Sequence, residues 1–186
     1  MGNAAAGTGL AELMGGNTES ARDWFTKAVE RYRESDEHAP PGSWGRPIGI
    51  LKARILAGDW QGAETDARWT LEQNAVEAPS PIGRYAACLG LLVLGRDEDA
   101  RVLADDLRTH ADFPAAVGDA LAMLAAQDPI GYIEAIEAVL ESFETRDEYL
   151  EDLPVADTVI VLQALAARRG MAAELSSPLL PEKAGV

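Results

Sequence analysis

Gly58-Asp59-Trp60-Gln61-Gly62-Ala63 is one of three copies of a single phrase, in which a glycine is followed five residues later by an alanine that opens an amphipathic stretch. The others are Gly16-Asn17-Thr18-Glu19-Ser20-Ala21 and Gly95-Arg96-Asp97-Glu98-Asp99-Ala100, with Ala126-Gln127-Asp128-Pro129-Ile130-Gly131 as a weaker fourth. The copies stand 42, 37 and 31 residues apart, the period of stacked helix pairs. A second echo, Pro47-Ile48-Gly49 and Pro81-Ile82-Gly83, opens the first helix of two hairpins. The pattern predicts an all-α fold, an antiparallel stack of about four helical hairpins.

Working outward, the first helix is expected over Ala4 to Met14, closed by Gly15-Gly16 as a left-handed cap. Asn17 or Thr18 is expected to cap the second, whose apolar residues Ala21, Trp24, Phe25, Ala28, Val29 and Tyr32 keep helical spacing. Pro40, Pro41, Gly42, Gly45 and Pro47 break the chain before the next hairpin. Ser80 before Pro81 and Asp128 before Pro129 read as helix starts. The hairpins are expected at about 4–34, 47–74, 81–110 and 114–145 of a single helical-repeat domain spanning 1–186. A ninth helix over 154–169 is apolar on most sides and must be covered by its neighbours, and 171–186 reads as an extended tail. No stretch alternates with the period of a half-buried strand.

Composition narrows the function classes. The chain carries 31 acidic against 16 basic residues, a formal charge of -15. Nucleic acid is therefore not an expected partner, since binding it needs a basic face. The same acidity fits a salt-rich cytosol, where dense carboxylates keep a surface hydrated and screening weakens their repulsion. One cysteine excludes an internal disulfide. No basic segment leads into an apolar run, and no apolar stretch approaches the ~20 residues of a membrane span, so a cytoplasmic protein with no membrane contact is expected.

The repeats resemble the tetratricopeptide-like helical repeat family. Gly9, Gly16, Ala21, Phe25 and Ala28 match its small and aromatic packing positions in the first hairpin. Gly58, Ala63 and Ala67 do so in the second, and Gly95, Ala100 and Ala104 in the third. Helices that cross at short distance need such small residues. The resemblance covers residues 4 to about 145. It implies a right-handed stack with a concave face that binds a protein or peptide, and it implies no catalytic residues. The C-terminal third also resembles a helical immunity-protein family of bacterial toxin systems. That resemblance rests on Asp128 to Leu150, the apolar helix, Arg169-Gly170-Met171, and the ending Glu174-Leu175-Ser176-Ser177-Pro178-Leu179-Leu180-Pro181.

Chemistry-bearing residues are sparse. Two histidines, His38 and His110, have no cysteine nearby, so no metal site is expected. Gly2 to Gly7 has the spacing of a phosphate loop, but Thr8 stands where the lysine belongs. Cys88 sits in the apolar run Ala86 to Leu94 and reads as a small core residue. No catalytic residue, cofactor or metal is therefore expected. Two binding surfaces remain. One is the concave face near Trp44, Arg46, Lys52 and Trp69, where aromatic and arginine side chains have the composition of an interface centre. The other is an acidic ridge of Glu134, Glu137, Glu141 and Glu144 on the eighth helix, suited to a basic partner such as a toxin's nucleic-acid-binding surface. The expectation is a non-enzymatic protein- or peptide-binding module, with an immunity-type inhibitor of a basic toxin as the alternative. The exposed ends of a stack leave self-association open.

Overall fold

The computed structural model describes residues 1–182. Among them nine α-helices follow one another: α1 Gly2–Met14, α2 Thr18–Asp36, α3 Gly45–Leu56, α4 Trp60–Glu72, α5 Pro81–Val93, α6 Asp97–Leu107, α7 Ala115–Ala125, α8 Pro129–Glu144 and α9 Asp157–Ala167. Short 3₁₀ turns lie at Ala75–Glu77 and Leu150–Asp152, and no strand occurs among the described residues. Each helix packs on the next, and α3 also packs on α1 and on α5. The architecture is an all-α stack of antiparallel hairpins.

The repeated phrase is a repeated turn. Gly16, Gly58 and Gly95 have φ of +77°, +69° and +69°, a region a side chain makes costly. At each, the glycine N–H reaches back to the helix it leaves (Leu13, Ile55 and Leu92 carbonyls), and the next N–H reaches one residue further (Glu12, Arg54 and Leu91). That paired bonding satisfies the last carbonyls of the helix. The alanine five residues on is buried in every copy: Ala21, Ala63 and Ala100.

The fourth copy is shifted by one residue. Gln127, not Ala126, takes the left-handed position, with φ of +53° and the same two bonds to Leu124 and Met123. Tyr132 then occupies the buried fifth position. A glutamine in that conformation costs about 1 kcal/mol. Its amide offsets this by donating to Asp97 at 2.8 Å.

Two caps expected from sequence form and one does not. Ser80 accepts from Gly83 N–H, and Asp128 from Ile130 and Gly131 N–H. Asn17 stands at the N-cap of α2, but its side chain donates to Glu12 at 2.9 Å and caps nothing.

The ninth helix decides the shape of the molecule. Thr158, Val159, Ile160, Val161, Leu162, Ala164, Leu165 and Ala166 are all buried, and α9 packs against α3, α7 and α8. It lies on the inner side of the stack. It begins at Asp157 rather than Pro154, because residues 153–156 are non-helical: Val155 N–H turns back to Leu153 O at 2.8 Å, and Ala156 N–H pairs with Leu179 O at 2.9 Å. The returning tail is further held by Gln163, which donates to Ala173 O at 2.6 Å and accepts from Ala173 N–H at 3.0 Å. The last four residues of the expected tail, 183–186, lie outside the described residues.

Candidate functional site

An open repeat stack would offer its inner face to a partner, and here α9 covers that face. Lys52 on α3 points inward as expected of a groove residue. Its ammonium is 2.9 Å from the Asp157 carboxylate and donates to Thr158 Oγ1 at 2.8 Å. Burial alone would lower the Lys52 pKa; the Asp157 charge, with the Tyr85 and Tyr32 phenols, holds it above its ordinary value. Burying the five large aliphatic side chains of α9 contributes on the order of 10 kcal/mol. That is comparable with the whole net stability of an ordinary domain, so α9 is part of the core and no removable plug.

The other residues expected on the concave face do not converge there. Trp44 is half-buried and packs on the first turn of α5, so close that a Cβ on Gly83 would meet its Nε1 at 2.7 Å. Arg46 donates from Nε to Ser35 Oγ at 2.6 Å. Trp69 faces α2, with the Arg33 guanidinium 5.3 Å from its ring centroid. Trp44 and Arg46 share the N-terminal end of α3, but Lys52 and Trp69 look elsewhere, and no single open surface holds all four.

The turn edge provides an opening instead. A cleft of about 490 Å³ lies between the α1–α2 and α3–α4 turns, with α9 as its floor, and it is better enclosed than the neighbouring shallow depression along the tail. Its walls are Leu13, Met14, Leu56, Trp60, Ile160 and Ala164, and Arg22, Thr18 and Glu182 stand among its lining residues. Trp60 is fixed from behind by the Arg168 guanidinium, 4.2 Å from the ring centroid. The volume falls within the ~300–1,000 Å³ of ligand-sized clefts.

Arg22 is peculiar in its surroundings. Every other Lys or Arg side chain among the described residues reaches a carboxylate, a hydroxyl or an aromatic ring. The Arg22 guanidinium reaches none. In sequence Arg22 is one more charge on the polar side of α2; the legible signal was for the cleft and not for Arg22, namely Trp60, a large aromatic directly after Gly58-Asp59 where the other copies carry Thr18 and Asp97.

The acidic ridge exists as a surface. Glu134, Glu137, Glu141 and Glu144 are all exposed on α8, together with Ile130 and Ile133 near its start. Glu144 accepts from Ser177 Oγ at 2.7 Å, and none of the four joins an ion pair among the described residues, whereas acids on α4, α6 and α7 are paired with arginines.

Two further groups settle candidate chemistry. Cys88 is fully buried and its thiol is pushed up to about 12 by desolvation, which removes it as a nucleophile at neutral pH. Asp66 on α4 was not singled out from sequence. Its carboxylate is 1% exposed and is gripped by Arg33 of α2 and by Arg54 of α3 at 2.8 Å. Among the described residues no group of three or more His, Cys, Asp and Glu side chains is placed to hold a metal ion, and no helix is long and apolar enough to cross a membrane. No model of a known protein family matches the chain, and neither a curated protein nor a solved structure does.

Proposed function

We propose that the protein is a non-enzymatic protein- or peptide-binding helical-repeat module that works through the cleft at its turn edge rather than its inner face. The observation that carries this is the cleft itself: an apolar, partly enclosed hollow between two repeats whose inner face is filled by α9. Apolar clefts with a few polar groups at the mouth accept anchor side chains of a partner. The engagement of the reactive side chains agrees with a binding role. Cys88 is sealed in the core, and His110 Nδ1 accepts the Asp112 N–H at 3.2 Å.

A second reading keeps the immunity-type inhibitor, with the outer face of α8 on a basic toxin. It is favoured by the four glutamates that no cation in the described chain neutralises, beside two exposed isoleucines. Charges arranged in this way speed encounter with a basic partner and make it salt-sensitive.

Selection of a random peptide library on the immobilised protein separates the two. Cleft binding predicts enriched apolar peptides that Met14→Glu releases and that the pair Glu137→Arg and Glu141→Arg retains. Enriched basic peptides with the opposite response would replace the first reading by the second. No enrichment from a deep library would count against both as peptide-binding surfaces.

A further inference from the structure

We propose that the turn-edge cleft takes the free C-terminus of a partner polypeptide. An apolar last residue would sit between Leu13, Leu56, Trp60 and Ile160, with the terminal carboxylate on the Arg22 guanidinium. This rests on the cleft reading above and names the chemistry of its occupant.

Charge is the reason. The chain has 31 acidic residues for 16 basic ones; nine of its thirteen arginines pair with carboxylates, and three more meet a hydroxyl or an aromatic ring. The one guanidinium left unpartnered among the described residues lines the apolar cleft. The first turn of α2 beside it is also uncapped by a side chain, because Asn17 turns away to Glu12; its N–H groups add a positive field at this corner that Glu19 in the same turn offsets in part. An apolar wall ending at an unpaired cation is complementary to an apolar group ending in an anion. Glu182 also lines the cleft but makes no ion pair with Arg22, so the guanidinium stays available to an incoming carboxylate.

A polypeptide end fits better than a fatty acid. Thr18 and the turn residues Gly15, Gly16, Ala57 and Gly58 also line the cleft; the glycine and alanine N–H groups are spent within the turns, which leaves the Thr18 hydroxyl and carbonyl oxygens as acceptors. Peptide N–H groups can pair with such acceptors, while a hydrocarbon chain cannot.

The test uses the whole chain and a dye-labelled hexapeptide ending in two leucines, in free-acid and C-terminally amidated forms, followed by fluorescence anisotropy. The free acid is expected to bind at least about tenfold more tightly than the amide, the effect of one charge-assisted hydrogen bond at a partly screened site. Arg22→Gln should bring the free acid down to the level of the amide while leaving the amide unchanged. Arg31→Gln, on the same helix but outside the cleft, should change neither. Equal affinity of acid and amide would overturn the inference, as would an Arg22→Gln variant that binds the free acid normally. Dodecanoate that binds where the peptide does not would assign the site to lipid instead. Concentration-dependent dimerisation abolished by Met14→Glu would assign it to a second copy. Amidated peptides that bind well would remove the carboxylate contact yet leave the cleft as a peptide site, so the two readings fail separately.

Discussion

Replacing Asp66 by asparagine should be one of the most costly shape-preserving substitutions in the chain. The side chain is 1% exposed and lies on the buried face of α4 with Ala63, Ala67 and Thr70. Two guanidinium groups depend on it, Arg33 from α2 and Arg54 from α3, so one carboxylate joins three helices. Asparagine keeps the volume and opens no cavity; what it removes is the charge. Breaking a buried pair by taking one partner costs about 3–5 kcal/mol. Two features reduce that here. Arg33 is 41% exposed and can return to water, and Arg54 still has Asp59 at 2.5 Å. The expected loss is about 2–4 kcal/mol, or about 5–15 °C in Tm for a chain of this length. Urea unfolding followed by far-UV circular dichroism measures it, with the m-value unchanged. Glu64→Gln on the same helix, whose pair with Arg68 is exposed at 3.4 Å, should cost less than about 0.5 kcal/mol. An Asp66→Asn variant no less stable than Glu64→Gln would show that the three-helix clamp contributes nothing.

Other consequences are open to measurement. Burial would raise the Asp97 carboxyl, but hydrogen bonds from Arg169 and Gln127, with the Arg169 charge, outweigh it and hold the pKa below the ordinary value. A depressed carboxylate stabilises the fold above its unfolded pKa of about 3.9 and loses that contribution as pH falls through the folded value. The stability gap between wild type and Asp97→Asn should therefore be full at neutral pH and shrink below about pH 4; a gap that widens in acid would contradict this. Cys88 should resist a thiol reagent at pH 8 in the native protein and react at once in urea, and fast native labelling would mean the core opens there. Gly118→Ala should cost about 1–3 kcal/mol, because its Cβ would lie 2.5 Å from the Arg108 Cα and backbone cannot swing aside. Unchanged stability would mean that α6 and α7 have slack at their crossing.

The spacing of small residues was enough to read the stack, because glycine at a left-handed turn and alanine at a crossing are dictated locally. Gly9 illustrates this: a Cβ there would meet the Phe25 ring at 2.7 Å, the close approach its position implies. What spacing could not reveal was where α9 goes. A helix apolar on all sides announces that it is covered, but not that it crosses the inner side to α3, some hundred residues earlier in the chain. Lys52, read as a groove residue, is instead engaged inside the molecule; its partner Asp157 is too distant in sequence to be foreseen. Asp66 carried a legible signal, an acid among Ala63, Ala67 and Thr70 at helical spacing. Arg22 carried none, since an arginine on the polar side of a helix looks the same with or without a partner.

The placement of α9 also changes how the molecule should unfold. In an open stack each hairpin touches only its neighbours, so terminal units fray while the middle holds. Here α9 joins α3 to α7 and α8, and its flanks are tied at both ends, by Lys52 with Asp157 and by Arg169 with Asp97 and the Leu92 carbonyl. Releasing the first hairpin would expose Val155 and Ile160, which pack with Leu10, Phe25 and Ile50 in one cluster. Loosening α9 would uncover the second cluster, which runs from α3 to the tail. No hairpin can therefore leave without opening the centre, and unfolding should be a single transition. Hydrogen exchange should show α1, α5 and α9 amides opening with similar free energies, apart from fraying ends. If the amides of α1 and α2 exchange several kcal/mol more easily than those of α9, the first hairpin is an independent unit and α9 is not the element that closes the stack.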